Sequence, residues 1–327
     1  MNKKLIALAV AGVMGTIPAL SSADVKVYGK AQVAIESRDL DTAAGSVTSV
    51  NDDYGNSRLG FKASEDLGNG LTAIALYEFS VDPSNISGVG GRESYVGLKG
   101  SFGTITAGRL KSAYKYTGGV KYDPFVATAL QARGNGGMSG NTAGGFTGGG
   151  AGAGAFGHNS FLGKTLGYNT PKMNGFSAWA TYSPDEAAGS DGDYTLGLKY
   201  DAGSFEVIAK AVNDDSSNYK STAVGGQFRM GDHKFSLQYE MTNPGTGSAD
   251  PTFLFLGWQG KFGNNMLAAQ YGKYDSDGGN DATYYALGAF HNFSKTTKLF
   301  GGYSATNVDG TGTPDRTAFT IGMVKDF

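Results

Sequence analysis

Three short segments have residue types that could support phosphate or metal chemistry. GAGAFG at 152–157 has the glycine spacing of a dinucleotide fingerprint, but that chemistry needs a strand before it and a helix after it, and neither is predicted. His158, His233 and His291 lack the spacing of metal ligands. DSDGGND at 275–281 has carboxylates suited to Ca²⁺ but lacks the late glutamate of an EF-hand loop. We predict no catalytic site, no metal and no cofactor, and a surface cation at this acidic segment stays an open alternative.

The remaining candidates are charged side chains on one face of alternating segments. In VKVYGKAQVAIE (25–36) the apolar residues share one face and most polar residues the other, which is the period of a β-strand. The segments 205–211 and 234–241 repeat the pattern. The polar face carries basic and acidic residues, namely Lys26, Lys30, Arg58, Lys62, Lys199, Lys210 and Lys234 against Glu36, Glu78, Glu206 and Glu240.

Composition and turn spacing extend this pattern to the whole chain. The 53 Gly, 18 Tyr and 19 Phe among 327 residues disfavour a helical protein and favour strands. Short turns occur at 67–70, 100–103, 172–175, 201–204, 230–233, 262–265 and 293–296. Longer polar connections occupy 37–56, 82–91, 111–160, 184–192, 214–220, 244–251, 276–281 and 307–314.

Seven short turns and eight long loops predict an all-β, 16-stranded antiparallel transmembrane β-barrel, because short connections at one end and long ones at the other are typical of outer-membrane barrels. A bilayer has no water for unpaired backbone groups, so a spanning sheet must close. Sixteen strands leave a lumen wide enough for water. A soluble β-sandwich or solenoid, the alternative, does not explain the asymmetry of the connections.

The first residues have the composition of a secretory signal. Lys3 and Lys4 precede an apolar run that ends at Ile17, and small residues follow up to Ala23. We predict a signal peptide at 1–23 and a barrel domain at 24–327; a membrane anchor is the alternative, but the run is short for a span. Without Lys3 and Lys4 of the predicted signal, the formal charge of the remaining chain is −4. The chain therefore lacks the excess of basic residues that binding of nucleic acid would require. The chain has no Cys, so packing and hydrogen bonds must hold the exported protein together.

Two longer segments, SRLGFKASEDLGNGLTAIALYEF (57–79) and RESYVGLKGSFGTITAGRL (92–110), resemble the general porins of beta- and gammaproteobacteria, and the resemblance spans the chain after the signal. It implies an outer-membrane homotrimer, contact with lipopolysaccharide and membrane lipid, passive diffusion of small hydrophilic solutes, and a third long loop folded into the lumen. The final segment, RTAFTIGMVKDF, ends on Phe327, which resembles the signal read by the barrel-assembly machinery. Lys325 lies on the lipid parity, where a charge near the interface costs little.

The third long loop, 111–160, is predicted to constrict the channel at 114–135. It offers Lys111, Lys115, Lys121 and Arg133 against Asp123 alone, whereas many relatives place an acidic loop opposite a basic wall. We expect Arg58, Lys62 and Arg109 on the wall to face Lys121, Asp123 and Arg133, with Lys30 and Glu78 also in the lumen. A narrow lumen with excess positive charge concentrates anions, so a passive channel that favours anions is predicted.

The glycine-rich part of this loop, 134–157, is predicted to be a mobile insertion, because ordering so many glycines costs conformational entropy. The length of the loop leaves open a channel for one substrate. A surface adhesin or structural barrel with an incidental pore is a second alternative. An outer-membrane enzyme is a third, but it would need a nucleophile and a base on adjacent strand ends, and none is evident.

Overall fold

A computed structural model of the protein describes residues 23–39, 41, 45–53, 57–86, 88–139, 161–184, 192–215, 218–243, 245, 250–276, 280–310 and 314–327. The strands are β1 (Asp24–Asp39), β2 (Val47–Asn51), β3 (Arg58–Gly68), β4 (Leu71–Ser80), β5 (Gly90–Gly100), β6 (Gly103–Lys111), β7 (Phe161–Asn169), β8 (Phe176–Ser183), β9 (Asp193–Asp201), β10 (Phe205–Asp214), β11 (Tyr219–Met230), β12 (His233–Asn243), β13 (Thr252–Phe262), β14 (Asn265–Asp275), β15 (Ala282–Asn292), β16 (Thr297–Val308) and β17 (Arg316–Asp326). One short helix, α1 (Ala113–Thr117), follows β6. Within these ranges no helix has the length and hydropathy needed to cross a bilayer.

The strands form one closed antiparallel sheet. From β3 onward each strand pairs with the next, and β1 closes the sheet against β17, with Lys30 opposite Asp326 and Asp39 opposite Thr317. The other edge of β1 pairs with β3 in its first half and with β2 in its second half. Because β2 and β3 share one strand position, the described residues form a barrel of sixteen positions. The predicted fold class is confirmed.

One predicted loop boundary was wrong. The sequence placed 37–56 in a single connection, but β1 continues to Asp39 and the VTSVN segment forms β2, with Val47 opposite Arg38 and Asn51 opposite Ala34. β-Branched residues are frequent in this segment, and the extended β1 offers it a backbone partner. The first long loop is therefore shorter than predicted, and the strand is interrupted at Asp52 and Asp53 before β3 begins.

The two faces of the barrel have opposite polarity. Val207 on the outer face is 51% exposed, whereas Gln238 on the inner face is 2% exposed. Apolar side chains thus lie where lipid would be, and polar side chains line the interior, as in transmembrane barrels. Each strand alternates between the two environments, in agreement with the period-two pattern of the sequence.

The two ends of the barrel also differ. At the short-turn end, Asn69 and Gly70 have φ angles of 53° and 75°, as a type I′ hairpin turn requires. Lys325 reaches the same end, where its Nζ donates to Thr296 Oγ1 at 2.9 Å. Phe327 exchanges two backbone hydrogen bonds with Gly29, at 2.9 and 3.1 Å. The charge of Lys325 therefore lies at the edge of the apolar belt rather than within it.

The loop after β6 folds into the barrel. Ser112 caps α1, since its Oγ accepts a hydrogen bond from Lys115 N at 2.9 Å, and Ala113 N donates to Thr195 Oγ1 of β9 at 2.8 Å. Farther along, Phe125 stacks on Phe290 of β15 with 5.6 Å between ring centroids. Buried apolar residues of the loop and of the facing strands form a core inside the barrel. The predicted inward third loop is confirmed over 112–139.

Gly197 of β9 makes the close docking of α1 possible. A Cβ at this position would overlap the Thr117 hydroxyl and lie 3.1 Å from the Ala113 carbonyl. We expect Gly197→Val to displace α1 from the wall while β9 keeps a good strand former, and so to raise single-channel conductance and current noise in planar bilayers.

The matched control is Gly163→Val in β7, where an added Cβ meets no described atom within 4 Å. A Gly197→Val barrel that folds, judged by circular dichroism, and conducts like the unmodified protein would contradict this account of the docking.

Candidate functional site: the constricted lumen

The folded loop divides the interior into a packed half and an open half. Residues 112–139 lie against β9–β17, and the open space faces β1 and β3–β8. This space is a cavity of about 530 Å³. Polar, charged and aromatic side chains line it, among them Tyr28, Lys30, Arg58, Lys62, Glu78, Glu93, Tyr95, Lys111, Tyr116 and Trp179. It is the candidate functional site.

Asp123 organises the loop from within. Its carboxylate accepts hydrogen bonds from Phe125 N and Ala132 N, both at 2.8 Å, and from Gln270 Nε2 of β14 at 2.6 Å. The residue is 2% exposed, and burial raises the pKa of its carboxyl. The negative charge that the sequence predicted opposite the basic wall is therefore directed into the loop and toward β14.

The break between β2 and β3 holds the tip of the loop. Asp53 lies there with a φ of 49°, and its carboxylate accepts from Ala129 N at 2.6 Å and from Thr320 Oγ1 of β17 at 3.1 Å. Gln32 Nε2 of β1 adds a bond to the Ala127 carbonyl at 2.9 Å. Sequence reasoning missed this Asp53 latch, because an aspartate in a polar connection carries no signal that it is buried.

Carboxylates offset much of the positive charge on the wall. Glu78 accepts from Arg92 Nε at 2.6 Å and from the Tyr28 hydroxyl at 2.9 Å, and Arg58 Nε lies 3.9 Å from it. Lys30 Nζ is 3.6 Å from Asp326. Lys111 forms an ion pair with Glu93 at the long-loop end of the cavity. These pairs lower the field that the basic residues would otherwise create.

Lys62 and Lys121 are in a different situation. Lys62 Nζ lies 4.2 Å from the ring centroid of Tyr28. Lys121 Nζ lies 4.2 Å from the ring centroid of Tyr116 and 5.9 Å from that of Trp179. Neither lysine forms an ion pair with a carboxylate in the described part of the chain. Aromatic faces attract the ammonium groups without cancelling their charge.

The other two predicted site residues lie away from the open cavity. Arg133 is 6% exposed; its Nη2 donates to Gln131 Oε1 at 3.1 Å, and its Nε and Nη1 have no hydrogen-bond partner among the described residues. Arg109 pairs with Ser94 and is exposed at the long-loop end, 5.8 Å from the ring of Phe161. Lys30, Arg58, Lys62 and Glu78 thus line the cavity on the wall, and Lys121 of the loop lies beside two aromatic residues of the lining, Tyr116 and Trp179.

The aromatic lining of the cavity was not foreseen. Trp179 shares the inward parity of β8 with Ser177 and Thr181, and that polar alternation could have identified it. No sequence pattern indicated that Tyr116 faces the cavity, because this residue lies in a five-residue helix within a loop. From the composition, aromatic residues were expected only to favour strands, and that expectation does not distinguish rings that face the lumen from rings that face lipid.

Several sequence predictions concern residues at or beyond the edge of the described ranges. The signal peptide up to residue 22, the GAGAFG segment and residues 140–160 of the glycine-rich stretch lie outside them, as do residues 277–279 of the acidic segment. Residues 136–139, at the start of the predicted insertion, are buried, and Asn135 O accepts from Thr306 Oγ1 at 2.8 Å. Among the described residues no group of three His, Asp or Glu could hold a metal ion.

A family model described as Gram-negative porin matches residues 7–311. The chain belongs to this family of channel proteins, and its place is the outer membrane. The major outer membrane protein P.IB of Neisseria gonorrhoeae is 36% identical over 214 residues, which cover 63% of this chain and 55% of that protein. The P.IB of Neisseria lactamica is 32% identical over 213 residues, which cover 63% of this chain and 57% of that protein. The chain thus spans little more than half the length of these relatives.

Solved porin structures have the same fold. An anion-selective porin from Comamonas acidovorans matches with a TM-score of 0.77 at 24% identity, covering 94% of this chain and 100% of that one. The trimer form of OmpT from Vibrio cholerae matches with a TM-score of 0.68 at 16% identity, covering 94% and 100%. At these identities the likeness concerns the barrel alone.

The Asp53 latch can be tested by substitution. Asp53→Ala removes the acceptor for Ala129 N–H and for the Thr320 hydroxyl, so we expect a looser loop tip and more frequent current fluctuations in single-channel recordings. The closed barrel should persist, because the substitution breaks no strand pairing.

Asp309→Ala is the control, since this exposed aspartate lies in a long loop and makes only a backbone bond to the residues that the structure describes. Fluctuations equally frequent in Asp53→Ala and in the control would show that the latch does not hold the loop.

Proposed function

We propose that the protein forms a water-filled channel for passive diffusion of small hydrophilic solutes, and that the channel favours anions. The observation that carries the preference is the position of Lys62 and Lys121, one on the wall side of the cavity and one on the loop. Both keep their charge without a carboxylate partner among the described residues. A constriction with excess charge of one sign raises the local concentration of counterions.

The pairing of the other charges leaves a net positive wall to which these two lysines add. Lys30 and Lys111 each lie near a carboxylate of their own, whereas Arg58 shares Glu78 with Arg92, so one positive charge remains there uncompensated. Asp123 is buried in the loop and does not balance Lys121 across the open space. The name of the Comamonas acidovorans porin, anion-selective, describes that protein and is consistent with the same preference here.

The proposal includes a homotrimer, for which the trimer form of the Vibrio cholerae protein is the supporting likeness. The exposed apolar outer face suits contact with other subunits, membrane lipid and lipopolysaccharide. We assign to Phe327 the role of recognition by the barrel-assembly machinery, after export and cleavage behind Ala23. No catalytic role is proposed for the channel.

Ion preference is measured by the reversal potential across a salt gradient in planar bilayers. We expect chloride to be preferred over potassium. Replacing Lys62 and Lys121 together by Gln should lower the chloride-to-potassium permeability ratio by roughly twofold to fivefold for each charge removed, as expected for charges near the ion path in water.

Lys172→Gln is the control, because Lys172 lies in a short turn, is largely exposed and pairs with Asp201. A cation preference in the unmodified protein would refute the proposed selectivity.

The preference should also depend on pH. Partial desolvation and then repulsion by Lys199 lower the pKa of Lys121 to about 8, although its side chain stays exposed. The lysine is charged below its pKa and neutral above it, so chloride preference should decrease as the pH rises from 7 to 9.

Reversal potentials measured at intervals across this range give the titration curve. In Lys121→Gln the decrease near pH 8 should disappear. A flat profile in the unmodified protein would show that the charge of Lys121 does not influence the ion path.

A further inference from the structure

The two tryptophans of the chain occupy opposite environments. Trp258 lies on the outer face of β13, near His233 at 5.9 Å between ring centroids, in a position typical of a membrane-interface belt. Trp179 lies on the inner face of β8, is half-buried and lines the open cavity. The indole ring of Trp179 faces a polar, charged lumen, so contact with lipid does not stabilise it. Packing against neighbouring residues covers only part of the ring.

A second ring meets Trp179 from the loop. Tyr116 of α1 is 41% exposed, and its ring centroid lies 5.9 Å from that of Trp179 with an interplanar angle of 57°. One ring belongs to the loop and the other to the wall, and both line the cavity. A solute passing between loop and wall therefore meets accessible aromatic surface.

Lys121 adds a positive charge at the same place. Its Nζ lies 4.2 Å from the Tyr116 centroid and 5.9 Å from the Trp179 centroid. Three charged groups on the strands act on it: Lys199 and Lys111 repel it, and Glu206 attracts it. Glu206 itself is bound by Arg229 at 2.6 Å and by Lys199 at 3.4 Å. The ammonium group of Lys121 thus remains able to attract an anion from the lumen.

These groups match the chemistry of a carboxylate attached to an aromatic ring. The carboxylate can accept charge-assisted hydrogen bonds from Lys121, and the ring can pack against Trp179 and Tyr116. An aliphatic carboxylate would use only the first contact, and an uncharged aromatic molecule only the second. The cavity of about 530 Å³ is large enough for a single-ring acid.

We infer that Tyr116, Trp179 and Lys121 form a binding site for aromatic carboxylates, with benzoate as the simplest member of the class. The inference rests on the proposed anion-conducting function and specifies a solute class for the same lumen. Its distinguishing feature is selection by ring type at equal charge.

The test compares benzoate with cyclohexanecarboxylate, which has the same charge, a similar size and a non-aromatic ring. Each acid is added to the intact protein in planar bilayers at neutral pH, and the concentration that halves the chloride current is measured. We expect benzoate to reach half-block at a concentration roughly threefold to tenfold lower, as one aromatic contact would give.

Three variants identify the groups responsible. Trp179→Leu should bring the two half-blocking concentrations together, whereas Trp179→Phe should keep most of the difference because it keeps a ring. Lys121→Gln should weaken the block by both acids. Trp258→Leu is the matched control, and its two concentrations should differ as in the unmodified protein.

Equal block by both acids in the unmodified protein would overturn the inference. A difference that survives unchanged in Trp179→Leu would also overturn it, and would leave Tyr116 and Trp179 as packing between α1 and β8. The chloride preference is read separately from the reversal potential. An experiment that refutes the aromatic binding site therefore gives a different result from one that refutes anion selectivity.

Discussion

The need to pair every backbone N–H and C=O within a bilayer determines the rest of this structure. Only a closed sheet satisfies it with strands, because any free edge would expose unpaired groups to hydrocarbon. Pairing of β1 with β17 provides that closure. Once the sheet is closed, the alternation of each strand divides the protein into an apolar outer face and a polar interior, and the interior has to be organised without a conventional core.

The protein meets this second requirement by placing a small core to one side of the lumen. Tyr122, Phe125 and Leu130 of the loop pack against inward residues of the later strands, including Phe255 and Phe290. The strands on the opposite side carry the paired charges and the aromatic rings of the open cavity. The asymmetry of the interior therefore follows from where the loop is anchored. Ions pass through the lumen along the open side of the barrel.

The sequence was sufficient for the barrel and insufficient for the contacts inside it. Period-two alternation, turn residues and the asymmetry of connection lengths are local signals, and they predicted the strand number and the inward face that bears Gln32 and Glu240. The roles of Asp123 and Asp53 depend on partners more than seventy residues away, such as Gln270 and Ala129, and no local pattern records them. The position of Arg109 was harder still to predict, because the register shift beside it in β6 changes the face of the sheet on which its side chain lies.

The Asp53 latch has a consequence for the order of assembly. Its carboxylate joins the break before β3, the tip of the loop and Thr320 of β17, which is 267 residues away in sequence. Such a distant contact forms late, because the chain between its ends must first be brought together. The bond from Thr320 can form only after the final strand has reached β1, whereas the bonds of Asp53 to Ala129 and of Gln32 to Ala127 need only the first strands. A barrel still in construction would therefore hold the tip of its loop less firmly than the finished one, and closure of the wall completes the fixing of the passage.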